Sequence, residues 1–261
     1  MSNARPETPT ARFRPDDRVL VSPRHLAGAG IDRIRDAINP LTELFDWTSE
    51  RLTTGRVLLN SPGHEAFLDF AADRQDGLWW TIAHHEPYWQ AEFTRQTPIE
   101  AIASVTQALP QMLGDHRHAN RIPLTTEYVA PTARRSGWDL KKTASGVTWT
   151  SPDGHCAVEH TTDPEHPWRI IHSVYDGFDT HWCANFTRDT PEQLVAQFLA
   201  HLSDETPVER RFADVPALAL GSAVITPART SVLGSHTSHA IAQVGRVLAT
   251  NGRPLVSRST R

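Results

Sequence analysis

The sequence predicts an α+β fold made by tandem repetition. Each unit is expected to be a four-stranded antiparallel meander followed by a helix, with the two units packed about a pseudo-two-fold axis. The first observation is a repeated segment. Trp89-Gln-Ala91-Glu-Phe93-Thr94-Arg95-Gln-Thr97-Pro98 returns as Trp182-Cys-Ala184-Asn-Phe186-Thr187-Arg188-Asp-Thr190-Pro191, displaced by 93 residues. A repeat of this kind decides architecture before any residue is read for chemistry. The second observation is that each copy passes from alternating to helical apolar spacing. The third is a pair of matching turn clusters upstream, Ser61-Pro62-Gly63-His64 and Ser151-Pro152-Asp153-Gly154-His155.

The elements follow in chain order. Arg18–Val21 reads as a short strand, and a helix is expected over Ile31–Ile38. Trp47 precedes a hairpin whose strands are Arg56–Asn60 and Glu65–Phe70, joined by the Ser61 turn. Gly77–His84 and Trp89–Phe93 supply the third and fourth strands. In the latter, Trp89, Ala91 and Phe93 share one face, while Gln90 and Glu92 share the other. Thr97-Pro98 then starts a helix: threonine is a cap residue and proline fits the first helical position. Its apolar stripe is Ile102, Val105, Leu109 and Met112. The second copy repeats this order. A strand is expected at Thr126–Val129, Trp138 precedes the hairpin Gly146–Thr150 with Cys156–His160, and strands at Trp168–Val174 and Trp182–Phe186 follow. The closing helix carries Val195, Phe198 and Leu202.

These elements give a disordered N-terminus over 1–16, a first unit over 17–114, a linker over 115–123 and a second unit over 124–213. A basic tail over 214–261 is expected to be partly disordered, with a helix at 238–249. The overall charge of −4 is unevenly spread. Beyond Asp214 there is no acidic residue, and Arg229, Arg246, Arg253, Arg258 and Arg261 make the tail +5, leaving −9 on residues 1–214. At 39% hydrophobic and 21% charged, the chain has enough apolar material for a packed core. No apolar run reaches the roughly 20 residues that span a bilayer, and the N-terminus lacks the apolar stretch of a secretory signal. A cytoplasmic location without membrane contact is expected. Cys156 and Cys183 are expected to stay unpaired.

The Ser151-Pro152-Asp153 turn, the tandem layout and the tryptophan-rich strands resemble the SPDY domain family, an actinobacterial family of unknown function whose domains often occur as two copies. The resemblance covers roughly residues 18–205. The first copy departs from the motif at Gly63, and Gly154 stands where the family name has tyrosine. The resemblance implies no catalytic residues. At the level of fold, four strands then a helix, made twice, is also similar to Whirly-type single-stranded-DNA-binding proteins, although their lysine-rich motif is not visible here.

No enzyme is expected. There is no Gly-x-Gly-x-x-Gly, no phosphate-binding loop and no Gly-x-Ser-x-Gly elbow. Among 14 histidines, the groups His84-His85-Glu86 and His155-Cys156 with His160 lack the recurring spacing of a zinc site. Neither a metal nor a cofactor is expected. The sequence favours a binding protein, first for nucleic acid, single-stranded DNA above all. Arg95 and Arg188 stand at equivalent positions between strand and helix, and Arg229, Arg246 and Arg253 lie in the acid-free tail. The alternative is a module for binding another protein or a second copy, with Trp79, Trp80 and Trp168 as exposed anchors.

Overall fold

The computed structural model describes residues 13–51, 55–125, 127–175 and 181–228. Residues 1–12 of the disordered N-terminus expected over 1–16, the helix expected over 238–249, and Arg229, Arg246 and Arg253 lie outside these residues, while 13–16 are described and Arg14 and Asp17 close a turn. Alternation and helical spacing resolve into β1 (Arg18–Ser22), α1 (Arg35–Leu44), β2 (Thr48–Arg51), β3 (Val57–Asn60), β4 (Ala66–Phe70), β5 (Leu78–His85), β6 (Tyr88–Thr94) and α2 (Ile99–Met112). The second half carries α3 (Val129–Arg135), β7 (Asp139–Thr143), β8 (Gly146–Thr150), β9 (Cys156–Thr161), β10 (Trp168–His172), β11 (Trp182–Phe186) and α4 (Glu192–Leu202). It is followed by β12 (Val208–Arg211) and β13 (Val224–Pro227).

Ten strands form one antiparallel sheet in the order β2-β3-β4-β5-β6-β11-β10-β9-β8-β7. The two halves therefore meet at β6 and β11, where Glu92 stands opposite Asn185 and Ala91 opposite Phe186. One sheet face is apolar and carries the helices. Trp89, Ala91, Phe93, Trp182, Ala184 and Phe186 are all buried there, as the alternation requires. α2 packs on α4, α1 on α2 and α3 on α4. Phe198 of α4 stacks on Phe93 at 5.5 Å and meets Phe186 edge-on at 6.0 Å, so one helix residue ties both copies of the repeated phenylalanine into a shared core.

Four expectations change. Each half contributes five strands, because β2 and β7 add an outer strand before each hairpin. Both are solvent-exposed along their whole length, so neither carries an alternating pattern. The strand expected at Thr126–Val129 is instead the lead-in to α3 (residue 126 lies outside the described residues). Tyr128 is extended with φ −92° and ψ 171°, which mimics a strand locally. The helix then starts at Val129, whose N–H donates to Glu192 Oε1. α1 runs over Arg35–Leu44, beyond the expected Ile31–Ile38, with a single 3₁₀ turn at Ile31–Arg33 before it. Finally, β1 stands apart from the ten-stranded sheet. It lies between β12 and β13 in a second, three-stranded sheet, so residues up to 227 of the expected tail complete a sheet with the start of the chain.

The small sheet is locked to the helices by a buried ion pair. Arg210 of β12 is fully buried, and its Nη1 and Nη2 donate to Glu100 Oε1 and Oε2 of α2 at 2.8 and 2.7 Å. Its remaining donors go to the carbonyls of Ala27, Gly28 and Glu209. Gly30 lies flat against the guanidinium in a left-handed conformation (φ 62°), and a Cβ there would come 2.6 Å from Arg210 Cζ. No helix among the described residues is long and apolar enough to cross a membrane.

Candidate functional site

The repeated segment forms the joint between the halves. Thr187 Oγ1 accepts from Gln90 N–H at 2.7 Å and donates to Gln90 O, while Thr94 Oγ1 accepts from Cys183 N–H at 2.9 Å and donates to Cys183 O. Gln90 and Cys183 are themselves equivalent, so each copy closes the strand of the other. Thr97 and Thr190 were expected to cap helices. Their hydroxyls instead donate to the carbonyls of Cys183 and Gln90, and Pro98 and Pro191 hold the cap positions with no side-chain cap bond. Thr187→Val should leave the Gln90 N–H without its acceptor and cost about 1–2 kcal/mol. Thr94→Val should cost a similar amount, and urea denaturation of the two single variants and the double variant checks both. A combined loss under half of that range would count against the joint.

Arg95 and Arg188, paired by the duplication, are not brought together. They follow opposite ends of the β6–β11 ladder, whose register sets Arg95 level with Trp182, six residues from Arg188, roughly 20 Å at 3.3 Å per residue. Both are exposed. The Arg95 guanidinium lies 5.0 Å from the Trp79 ring centre, a cation–π contact. Trp79 is half-buried and meets Phe70 edge-on. Trp80 and Trp168, expected as exposed anchors, are core residues only 2% and 7% exposed. The alternation explains this: both point to the helix-covered face, where Trp80 packs on Phe70 and Trp168 on Trp149 and His160.

A cluster that sequence reading missed gathers at the Ser151-Pro152-Asp153 turn. Ser151 Oγ accepts from Cys156 N–H and donates to Asp153 Oδ1 at 2.5 Å. Asp153 Oδ2 lies 2.8 Å from His25 Nε2, across 128 residues of chain. Burial works to raise the Asp153 pKa, but the His25 hydrogen bond and charge, the Ser151 hydroxyl and the His155 N–H outweigh it and hold the carboxyl well below its ordinary range. Trp182 Nε1 donates to His25 O at 3.1 Å. Beneath lies His172, with no solvent exposure, stacked on Trp182 and within 5.7 Å of the His25 ring and 5.4 Å of the His181 ring. Neither ring nitrogen of His172 has a hydrogen-bond partner among the described residues. Burial, then the charges of His25, His181 and His155, push its pKa down to about 3. His84 is its counterpart in the first half and stacks on Trp89 in the same way, but its Nδ1 bonds Pro87 O at 2.9 Å. The signal that could have found the cluster is the His–Trp pairing opposite each turn, visible only once the strands are registered.

The cluster joins a serine hydroxyl, a carboxylate and imidazoles, and the Ser151 hydroxyl is committed to Asp153 and the Cys156 N–H. Cys156 is buried and its thiol is pushed up by that burial, and Cys183 is half-buried and also raised. No group of three or more His, Cys, Asp or Glu among the described residues is placed to hold a metal ion.

In the first half, the Ser61-Pro62-Gly63 turn faces the end of α2 across an open cleft of about 160 Å³ lined by Trp47, Ser61, Pro62, Glu65, Pro110, Leu113 and Asp115.

No curated protein and no solved structure matches the chain. Two segments, residues 60–111 and 150–208, match the model of the SPDY domain, a domain of unknown function (DUF317). Each segment begins at one of the two Ser-Pro turns and takes in the strands and most or all of the helix that follow it, so both halves of the sheet are similar to the SPDY domain.

Proposed function

We propose that the chain is a non-catalytic binding protein whose partner is another protein, with a second copy of itself as the first candidate. The observation that carries this reading is the face of the ten-stranded sheet opposite the helices, which no helix among the described residues covers. On that face, half-exposed residues of β4, β6, β11 and β10, among them Phe67, Gln90, Glu92, Cys183, Asn185 and Ile171, flank the buried Asp69, Thr81 and Ala83 of β4 and β5. Apolar and polar positions are interleaved there, with Arg169 opposite Glu159, Arg56 bonded to Asp69, and Glu92 between the two halves. That mixture suits a protein surface. We further read the halves as related by a pseudo-two-fold axis through the Glu92–Asn185 pair, which the reciprocal threonine bonds support. Two free cysteines fit a cytoplasmic setting.

Nucleic acid, the sequence's first expectation, draws less support. Bases need exposed rings and phosphates need a basic track. Seven of the eight tryptophans are buried, and the eighth, Trp79, is overlain by Arg95. Labelled single- and double-stranded DNA titrated into the full chain at low and physiological salt should show no saturable binding. Sedimentation over a wide concentration range should show association that tolerates salt and is lost in Ile171→Arg. Salt-sensitive DNA binding, or a monomer at every concentration, would reverse the choice.

A further inference from the structure

The two Ser-Pro turns face the ends of equivalent helices, but only one of the gaps is filled by the described residues. In the second half, the gap between the Ser151 turn and the last turn of α4 holds the chain's own Arg24–Leu26 segment. Arg24 donates to His201 O at 2.8 Å and Thr206 O at 3.1 Å and pairs with Asp204 at 2.9 Å. His25 pairs with Asp153, and Leu26 is fully buried. In the first half, the corresponding gap between the Ser61 turn and α2 is the open cleft. Its walls are apolar at Trp47, Pro62, Pro110 and Leu113.

The missing carboxylate of this turn has been replaced from another position. Gly63 stands where the second turn has Asp153, and Glu65 folds its own carboxylate across it, so that a Cβ at Gly63 would overlap Glu65 Oε2. Each turn thus presents a carboxylate beside the end of its helix, where the helix dipole also favours positive charge. Asp153 is paired with His25. Glu65 pairs with no cation among the described residues. A second carboxylate, Asp115, lies at the rim, held by Arg117.

We propose that the first-half cleft binds a short cationic segment of a partner protein, an arginine or histidine followed by an apolar residue, in the way the second half holds Arg24-His25-Leu26. The cation meets Glu65, and the apolar residue enters between Trp47, Pro62 and Leu113. This deepens the protein-binding reading and rests on it for the nature of the partner, but it uses a different surface from the open sheet face.

The probe is a labelled synthetic peptide copying residues 22–28, Ser-Pro-Arg-His-Leu-Ala-Gly, added to the full chain. Binding is read by anisotropy, with amide NMR shifts at Ser61, Glu65 and Leu113. Saturable binding is expected, weakened about tenfold by Glu65→Gln, since a charge-assisted bond is lost. A peptide with glutamine in place of its arginine and histidine should lose a similar factor. Asp115→Asn provides a second variant at the rim and should weaken binding less. Ile171→Arg should leave peptide binding unchanged, so failure at the sheet face and failure at the cleft are told apart. Absence of saturable shifts at the cleft, or equal affinity for Glu65→Gln, overturns the proposal. Tighter peptide binding by a full chain with glutamine at Arg229, Arg246 and Arg253 would also overturn it, assigning the cleft to the chain's own C-terminal segment. Self-association that disappears in Glu65→Gln would assign it to a second copy.

Discussion

Arg210→Met should destabilise the folded chain by about 3–5 kcal/mol, the cost of leaving one member of a buried ion pair without the other. Glu100 is the member left behind, its side chain only 13% exposed. Burial works to raise its pKa, and the hydrogen bonds and charge of Arg210 are what bring it below the ordinary range. Without them, Arg33 at 3.4 Å is the remaining cation, and the carbonyls of Ala27, Gly28 and Glu209 lose their donors as well. The double variant Arg210→Met with Glu100→Leu should recover much of the loss, because two apolar side chains in place of a buried pair are often neutral. Gly30→Ala tests the same site from the backbone side. It meets both a left-handed φ and the guanidinium, and should destabilise without changing any charge. Guanidinium chloride denaturation of the three variants decides: a loss below about 1 kcal/mol in Arg210→Met would show that the small sheet does not depend on the pair.

This pair marks the boundary of what the sequence made legible. The repeat, its inward alternation and its helices were readable because each is a local pattern. Trp89, Ala91 and Phe93 lie within five residues, and so do Trp182, Ala184 and Phe186. Arg210 looked like any arginine near a domain end, since its partner is 110 residues away and nothing local announces burial. His25 is the same case at longer range. β2 and β7 were invisible for the opposite reason: edge strands bathed in solvent on both faces need no hydrophobic period. The threonines were misread in role but not in importance, because a Thr-Pro step looks the same whether the hydroxyl serves the helix behind it or a strand of the other copy. Arg95 and Arg188 lie between strand and helix in both copies. The ladder's antiparallel direction, which sends them to opposite ends, belongs to the pairing of β6 with β11 and lies beyond any single-strand pattern.

The second large effect is the loss of stability in acid. His172 is neutral and buried in the native state with a pKa of about 3, against 6.5 for the free side chain. Its ring faces His25, His181, His155 and Asp153, and Cys156 is its neighbour on β9. Between those two pKa values the unfolded chain binds a proton that the folded chain refuses, so stability rises with pH across the interval and falls on acidification. At about 1.4 kcal/mol per unit, acidification from neutral to about pH 4 should cost roughly 3 kcal/mol through this residue alone. His201, also pushed down by burial, acts in the same direction. Asp153 and Glu100 have depressed pKa values, so their contributions are present above the ordinary carboxylate range and disappear only below about pH 4. The histidine and carboxylate effects therefore separate on the pH axis. His172→Phe keeps a ring on Trp182 and removes the titration, and urea denaturation from pH 7 downward should show its stability declining less than half as steeply as the wild type before the two curves turn down together. Parallel curves over the whole range would mean that His172 gains a proton partner in solution, and the unpaired nitrogens would then be the place where a water or a ligand enters.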